Sequence, residues 1–232
     1  VVEEKSVFET LEVIVVIDGS KDRSSEIAHR YQNRYPDVFL VIDKENGNYG
    51  SCVNRGLKEA HGEYVKILDA DDYFDSLSLQ KYLKYLSTID ADLVVTDFLK
   101  VDEDGKAIAK IDFDFPKETI LEIDDICERG SFSKLEMHAV TYKRQNLIDI
   151  HYVQTEGISY TDQEWMFIPL TAVKKMVYFP AVVYCYLIGR EGQTMDPKIL
   201  ARSIGQNIIV VENRLGELKK RNITLTSSMK NA

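Results

Sequence analysis

Glu12-Val13-Ile14-Val15-Val16-Ile17-Asp18-Gly19-Ser20 decides the fold class. Residues 13–17 are all apolar and β-branched, a run that suits a strand buried on both faces. Asp18-Gly19-Ser20 then reads as a turn. Beyond it, Asp22 or Ser24 can cap a helix that carries Ile27, Ala28 and Tyr31 on one face, and Pro36 stops that helix. Val38 to Ile42 is a second strand.

The alternation continues outward from this unit. Asn46-Gly47-Asn48-Tyr49-Gly50 is a flexible loop, and a short helix follows with Val53, Leu57 and Ala60 at helical spacing and Gly62 just past its end. Tyr64-Val65-Lys66-Ile67-Leu68 is a third strand that runs straight into Asp69-Ala70-Asp71-Asp72. A helix from about Ser76 to Ser87 presents Leu79, Tyr82, Leu83 and Leu86, and Leu93-Val94-Val95 is a fourth strand. Strands separated by helices of this length imply right-handed crossovers and a mostly parallel sheet flanked by helices.

The second half is less regular. Asp102-Glu103-Asp104-Gly105 is a hairpin turn between short strands. Val140 to Tyr142 and Met176 to Ile188 are further strands of a small mixed sheet. Ile199, Ile208, Leu215 and Leu218 mark a closing helix, and Thr224 to Ala232 is a polar, frayed end. No internal repeat, low-complexity linker or boundary divides the chain, so residues 1–232 are expected to form a single α/β domain.

Composition narrows the function. The 232 residues suffice for one substantial α/β domain, and 44% hydrophobic with 29% charged residues is an ordinary globular balance. A net charge of -9 argues against nucleic acid as a partner. A nucleotide diphosphate is also anionic, but a divalent cation would offset that locally. Cys52, Cys127 and Cys185 are few, odd in number and far apart, which fits reduced thiols in a cytoplasmic protein. No apolar run approaches the roughly 20 residues of a membrane span, and no signal peptide is visible. Peripheral contact with the inner face of the plasma membrane stays open.

Ligands of an open parallel sheet sit at the carboxyl ends of its strands. Two acidic signals fall at that edge: Asp18 after the first strand, and Asp69, Asp71 and Asp72 after the third. Three carboxylates within four residues repel one another unless they share a cation. Hard oxygen ligands suit magnesium or manganese, which bind through one or two carboxylates plus substrate phosphates. The competing reading is a solvated turn that caps the next helix.

These residues also carry a family resemblance. Val15-Val16-Ile17-Asp18-Gly19-Ser20-Lys21-Asp22-Arg23-Ser24 resembles the "VVDDGSxDxS" segment of family 2 glycosyltransferases, which have the GT-A fold. Asn54-Arg55-Gly56-Leu57, Ala60-His61-Gly62-Glu63-Tyr64-Val65 and Leu68-Asp69-Ala70-Asp71-Asp72 resemble that family's following block in order and spacing. The resemblance is strong from about Leu11 to Asp97 and weaker to about Thr194. It implies an inverting transferase that moves a sugar from a nucleotide-diphosphate donor, expected to be a UDP-sugar, to an acceptor hydroxyl. It also implies site roles. Asp18 accepts a hydrogen bond from the donor's base, Asn54 belongs to the donor site, Asp69 lies near the ribose and the metal, and Asp71 is the principal metal ligand. Asp72 is either a partner of these groups or a helix cap.

A second segment, Gly157-Ile158-Ser159-Tyr160-Thr161-Asp162-Gln163-Glu164-Trp165, resembles the family's "YEDxEF" segment, whose aspartate is the general base. That role maps to Asp162, with Thr161 where relatives often have glutamate. The alternative is that Asp162 caps the helix containing Trp165 and Phe167. Glu164 is a weaker candidate base. Gly189-Arg190-Glu191-Gly192-Gln193-Thr194 resembles a late loop in which Arg190 would approach the diphosphate, or sit in solvent. His138 either borders the acceptor or is structural.

By the same resemblance, residues 1–100 form the nucleotide-sugar half, 101–197 the acceptor half and 198–232 the closing helix and tail. Relatives open with a strand reading roughly "SIIIPVYN" and a helix. Here Val1-Val2-Glu3-Glu4-Lys5 reads as the tail of that helix, so the full-length protein is expected to carry further N-terminal residues. The acceptor would be a saccharide or lipid-linked saccharide in bacterial surface-polysaccharide synthesis. Two other functions compete. A haloacid dehalogenase-type phosphatase also places Asp-x-Asp after a strand, but has Thr or Val where Tyr73 stands. A non-catalytic sugar- or nucleotide-binding module would be favoured by loss of Asp71 or Asp162, and both are present.

Overall fold

The computed structural model describes residues 9–123, 135–189 and 203–221. Strand β1 (Val13–Asp18) pairs in parallel with β2 (Phe39–Lys44), from Val13 opposite Phe39 to Asp18 opposite Lys44. Helix α1 (Ser24–Arg34) crosses between them and ends two residues before Pro36. Asp22 supplies the start: its carboxylate accepts the Ser24 N–H at 2.9 Å. Among the described residues β1 has a ladder on one edge only. Ile17 is its single buried residue, packing with Ala28 and Val41. The expectation of a strand buried on both faces is therefore corrected to a half-buried one.

Helix α2 (Asn48–Glu59) leads to β3 (Tyr64–Val65) and the acidic turn. After β4 (Tyr73–Phe74) and α3 (Ser76–Leu86) come β5 (Leu93–Val101), β6 (Ala107–Ile111) and β7 (Ile120–Glu122). β8 (Val140–Lys143), α4 (Arg144–Asp149), α5 (Asp162–Phe167), a 3-10 turn (Pro169–Ala172), β9 (Lys175–Leu187) and α6 (Ile204–Lys220) complete the described chain.

The larger sheet has the order β3-β8-β5-β9-β4, with β6 added to β5 and β7 to β9. Its β5–β9 ladder is parallel, and its other ladders are antiparallel. The α/β class and flanking helices stand, while the strand directions are mixed rather than mostly parallel. The reason is that the second half adds strands by hairpins and returns instead of strand–helix–strand crossovers. Gly105 closes the β5–β6 hairpin in the left-handed region, φ +75°, with its N–H on Asp102 O at 2.9 Å.

β5 lies at the middle of this sheet. Leu93 and Val95 enter one core cluster with Val53 and Trp165, while Val94 enters the other with Tyr82 of α3. That alternation covers the sheet on both faces. Trp165 is fully buried, its ring edge-on to Tyr142 at 5.1 Å and near Tyr152 at 5.7 Å. It anchors α5, and truncating such a residue to Ala typically costs about 3–5 kcal/mol. In α6 only Val210 is buried, and Ile208 and Leu215 are exposed, so those two do not close the core as expected. Ile199, Cys127, Val1 to Lys5 and Thr224 to Ala232 lie outside the described residues. Cys52 and Cys185 are free thiols. No described helix is long and apolar enough to cross a membrane.

Candidate functional site

The acidic turn forms where β3 ends early. The expected strand through Leu68 is reduced to Tyr64–Val65. Beyond it Lys66 reaches sideways, its Nζ donating to His138 O at 2.8 Å and Val140 O at 3.2 Å. The Asp72 N–H closes the turn onto Asp69 O at 3.1 Å. β9 then clamps it. Tyr184 Oη accepts the Asp69 N–H at 3.1 Å and donates to Asp72 Oδ2 at 2.5 Å, while the Leu187 N–H donates to Asp72 Oδ1 at 2.7 Å. The cap of α3 is Asp75, which accepts the Ser78 N–H at 2.8 Å. Asp72 is therefore a partner within the site and not a helix cap.

His138, just ahead of β8, is brought to this turn. Its Nε2 lies 4.0 Å from Asp72 Oδ2, and one ligand atom from each of Asp69, Asp72 and His138 lies within 4.8 Å of the other two. Burial pushes the Asp69 carboxyl up to about 6, with the Asp72 and Asp71 charges adding to it and His138 and a Tyr49 hydrogen bond opposing. Burial also raises Asp72, against the Tyr184 and Leu187 hydrogen bonds. Asp71 acts on both by its charge but is not one of the three clustered groups. Desolvated, mutually repelling carboxylates beside an imidazole fit a divalent cation, which would restore their ionised forms.

Tyr49 is a site residue the sequence did not reveal. It stands in the first turn of α2 and donates to Met137 Sδ at 3.3 Å. Burial raises its phenol, and the Asp69 and Asp162 charges raise it further. The only local signal was an aromatic residue inside a Gly- and Asn-rich loop.

Asp162 is the first residue of α5. Thr161 holds the N-cap position and makes no side-chain cap bond, so the capping alternative for Asp162 does not hold. Burial raises the Asp162 carboxyl, opposed by the Gln163 N–H, its own N–H, and the His138 and Arg214 charges. The segment before α5 is clasped to α2. Asn54 Nδ2 donates to Gln154 O and to Glu156 Oε1, each at 2.8 Å, and Asn54 Oδ1 accepts the Gln154 N–H at 2.8 Å. The Gly157 N–H donates to Gly47 O at 3.0 Å. A Cβ on Gly50 would lie 1.9 Å from Thr155 O, so only glycine permits this approach. Tyr160 holds φ +64°, a costly conformation for an aromatic residue, two positions before Asp162.

Glu164 is spoken for. It is 1% exposed, and its carboxylate accepts the Thr155 N–H and Thr155 hydroxyl, each at 2.8 Å, and Asn213 Nδ2 from α6 at 3.4 Å. It ties three segments together, which leaves Asp162 as the carboxylate of α5 not committed to such a bond.

Asp18 ends β1 as expected, outside the Asp69 group. Its Oδ1 accepts the Lys44 ammonium and the Gly47 N–H, the latter at 2.9 Å. Burial opposes its ionisation, but the Lys44 and Gly47 hydrogen bonds outweigh that and hold the carboxyl below its ordinary range. Its side chain is 20% exposed, so part of the carboxylate remains accessible. Arg190 lies outside the described residues.

Comparison with known proteins gives the family and the fold. The family model described as glycosyl transferase family 2 matches residues 5–166, a span that includes Asp18, Asp69, Asp71 and Asp162. The uncharacterized glycosyltransferase EpsJ of Bacillus subtilis is 36% identical over 96 residues, 41% of this chain and 28% of that protein. The poly(ribitol-phosphate) beta-glucosyltransferase of Bacillus spizizenii is 26% identical over 193 residues, 81% of this chain and 29% of that protein. The chain thus spans less than a third of the length of these relatives. Among solved structures, S. aureus TarS residues 1–349 in complex with UDP-GlcNAc superimposes with a TM-score of 0.68 at 20% identity, covering 96% of this chain and 61% of that one. The mannosyltransferase PcManGT of Pyrobaculum calidifontis, in complex with GDP-Man and Mn2+, gives 0.55 at 15% identity, covering 96% and 69%. At those identities the likeness is one of fold.

Proposed function

The chain belongs to glycosyl transferase family 2, and from that membership we propose that it moves a sugar from a nucleotide-diphosphate donor, a UDP-sugar, to an acceptor hydroxyl with inversion. The observation that carries this reading is the gathering of Asp69, Asp72 and His138 at the acidic turn, with one ligand atom from each within 4.8 Å of the other two. Asp162, a half-buried carboxylate raised by desolvation, stands apart from that cluster. A nucleotide-sugar donor is supported by the UDP-GlcNAc and GDP-Man complexes of the structural neighbours.

Each residue then has a role. Asp69 and Asp71 would hold Mn2+ or Mg2+, with Asp72 clustered beside Asp69, and the ion when bound offsets the charge on the departing diphosphate. Asp18, partly accessible at the end of β1, takes the donor's base. Asn54 acts on the donor site through the clasp, since both ends of its amide are bonded to residues 154–156. Asp162 takes the acceptor's proton as its oxygen bonds to the anomeric carbon and the carbon–diphosphate bond breaks. Burial suits it to that work, because a carboxylate raised above its ordinary range is a stronger base. A single displacement leaves no covalent intermediate, so the anomeric configuration inverts.

Relatives named for teichoic acid synthesis and for glucosylation of poly(ribitol phosphate) support a surface-polymer setting, with a saccharide or lipid-linked saccharide acceptor. Contact with the inner face of the plasma membrane would be peripheral. The phosphatase and non-catalytic readings draw no support from the family match or the fold. A screen of nucleotide-sugars for metal-dependent hydrolysis or transfer tests the proposal. Turnover of at least one donor that is abolished by chelator supports it, and inactivity toward every donor in the presence of Mn2+ counts against it.

A further inference from the structure

We propose that His138 is a nitrogen ligand of the divalent cation at the Asp69 turn, seated in that role by Glu136 and Lys100. The inference rests on the cation-dependent reading above. It adds a ligand from outside the acidic turn, on a segment about 70 residues further along the chain.

His138 is 6% exposed, and its ring plane is fixed by aromatic neighbours. Tyr186 stacks on it at 4.0 Å between centroids, Tyr184 meets it edge-on at 4.9 Å, and Phe98 lies at 5.2 Å. Only the two nitrogen edges remain for polar contact. Nδ1 lies 3.3 Å from Glu136 Oε2, near enough to attract a proton on Nδ1 though poorly aligned as a hydrogen bond. Glu136 Oε1 in turn accepts Lys100 Nζ at 2.9 Å. A carboxylate behind one imidazole nitrogen favours the proton there and leaves the other nitrogen's lone pair directed away from it.

That other nitrogen, Nε2, points into the acidic turn and makes no hydrogen bond among the described residues. Its separation from Asp72 Oδ2, 4.0 Å, is too long for a hydrogen bond. It suits two ligands of one ion: with bonds of about 2.1–2.2 Å, neighbouring and opposite ligand atoms lie about 3–4.4 Å apart. The chain Lys100–Glu136–His138–cation–Asp69 is the arrangement in which an outer carboxylate orients a metal-bound imidazole. A histidine that merely filled an aromatic cage would have no use for the Glu136–Lys100 pair. An imidazole in the ligand set also favours Mn2+ over Mg2+, which prefers oxygen throughout.

Electron spin-echo spectroscopy of Mn2+ bound to the full chain, with and without uridine diphosphate, tests this. In protein labelled with 15N-histidine, wild type should show 15N coupling to Mn2+, and His138→Gln should lose it and bind Mn2+ at least about 10-fold more weakly. Glu136→Gln, a positioning change, should keep the coupling while weakening Mn2+ by about 10-fold, the low end for an outer-shell partner. That variant and the wild-type spectrum remain informative if His138→Gln fails to fold. Mn2+ that binds, responds to Asp69→Asn and shows no histidine coupling overturns the assignment of His138 while leaving the cation reading intact. No Mn2+ binding even with uridine diphosphate overturns both.

Discussion

Asp69→Asn is expected to stabilise the cation-free fold, the reverse of what removing a structural carboxylate does. Burial and the Asp72 and Asp71 charges raise the Asp69 carboxyl to about 6 in the folded chain. In the unfolded chain it ionises at about 3.9, and that difference corresponds to about 3 kcal/mol. The sign follows from proton binding. Between pH 4 and 6 the folded state holds the proton that the unfolded state has released, so stability falls as pH rises through that window and stays lower above it. Asn matches the shape of Asp without the charge. In chelator at pH 7.5 the variant should therefore gain up to about 3 kcal/mol, a Tm rise of about 6–12 °C for a chain of this size. At pH 4 Asp69 is protonated in the folded wild type, and most of the gain should vanish. Saturating Mn2+ should narrow or reverse the order, since a ligand at 100 times its Kd adds about 2.7 kcal/mol to the state that binds it. Scanning calorimetry at both pH values, with and without Mn2+, reads all of this. A variant destabilised equally at pH 7.5 and pH 4 would refute the reasoning, because Asp69 would then be a structural group and not a charge held in place for a ligand.

Four further outcomes follow from the geometry. Asp162→Asn should lower turnover by about 10²–10⁴-fold with UDP affinity nearly unchanged; near-normal turnover in a donor-transfer assay would move the base elsewhere. Because burial raises the Asp162 carboxyl, wild-type turnover should climb with pH through a value above the ordinary aspartate range of about 3.9, and the pH–rate profile of Asp162→Asn should lack that limb. Gly50→Ala puts a Cβ 1.9 Å from Thr155 O, so denaturant titration should show a loss at or beyond the about 1–3 kcal/mol of ordinary overpacking. Glu164→Ala strands the part-buried Thr155 N–H and should cost about 1 kcal/mol by the same measurement; unchanged stability would show that the Glu164–Thr155 bonds contribute nothing.

What the sequence disclosed divides by distance along the chain. β1, α1, the Asp102–Gly105 hairpin and β9 were legible because apolar periodicity, caps and turn residues are local signals. β5 was read only as far as Val95, yet continues to Val101 through Asp97. A charged residue inside an apolar run reads as a stop, and nothing nearby announces that Tyr178 Oη, 81 residues on, donates to Asp97 at 2.5 Å while Lys110 pairs with it at 2.9 Å. The strand directions of the larger sheet were missed for the same reason, since pairing partners are set by tertiary packing. In the site, the Asp69 turn and Asp162 were marked by motif. Tyr49 and His138 reach them from the first turn of α2 and from just ahead of β8, and neither placement has a periodic trace. Glu164 shows the converse: a carboxylate that pattern alone left eligible for chemistry is committed to Thr155 and Asn213.

Calorimetric titration of uridine diphosphate into the full chain, once with Mn2+ and once with chelator, tests the cation-dependent donor site most directly. Binding should require Mn2+ in wild type and weaken by at least about 10-fold in Asp69→Asn and Asp71→Asn, a loss of about 1.4 kcal/mol or more. Equal affinity in chelator, or equal affinity in both variants, would contradict the assignment of the Asp69 turn as the place where donor and cation meet.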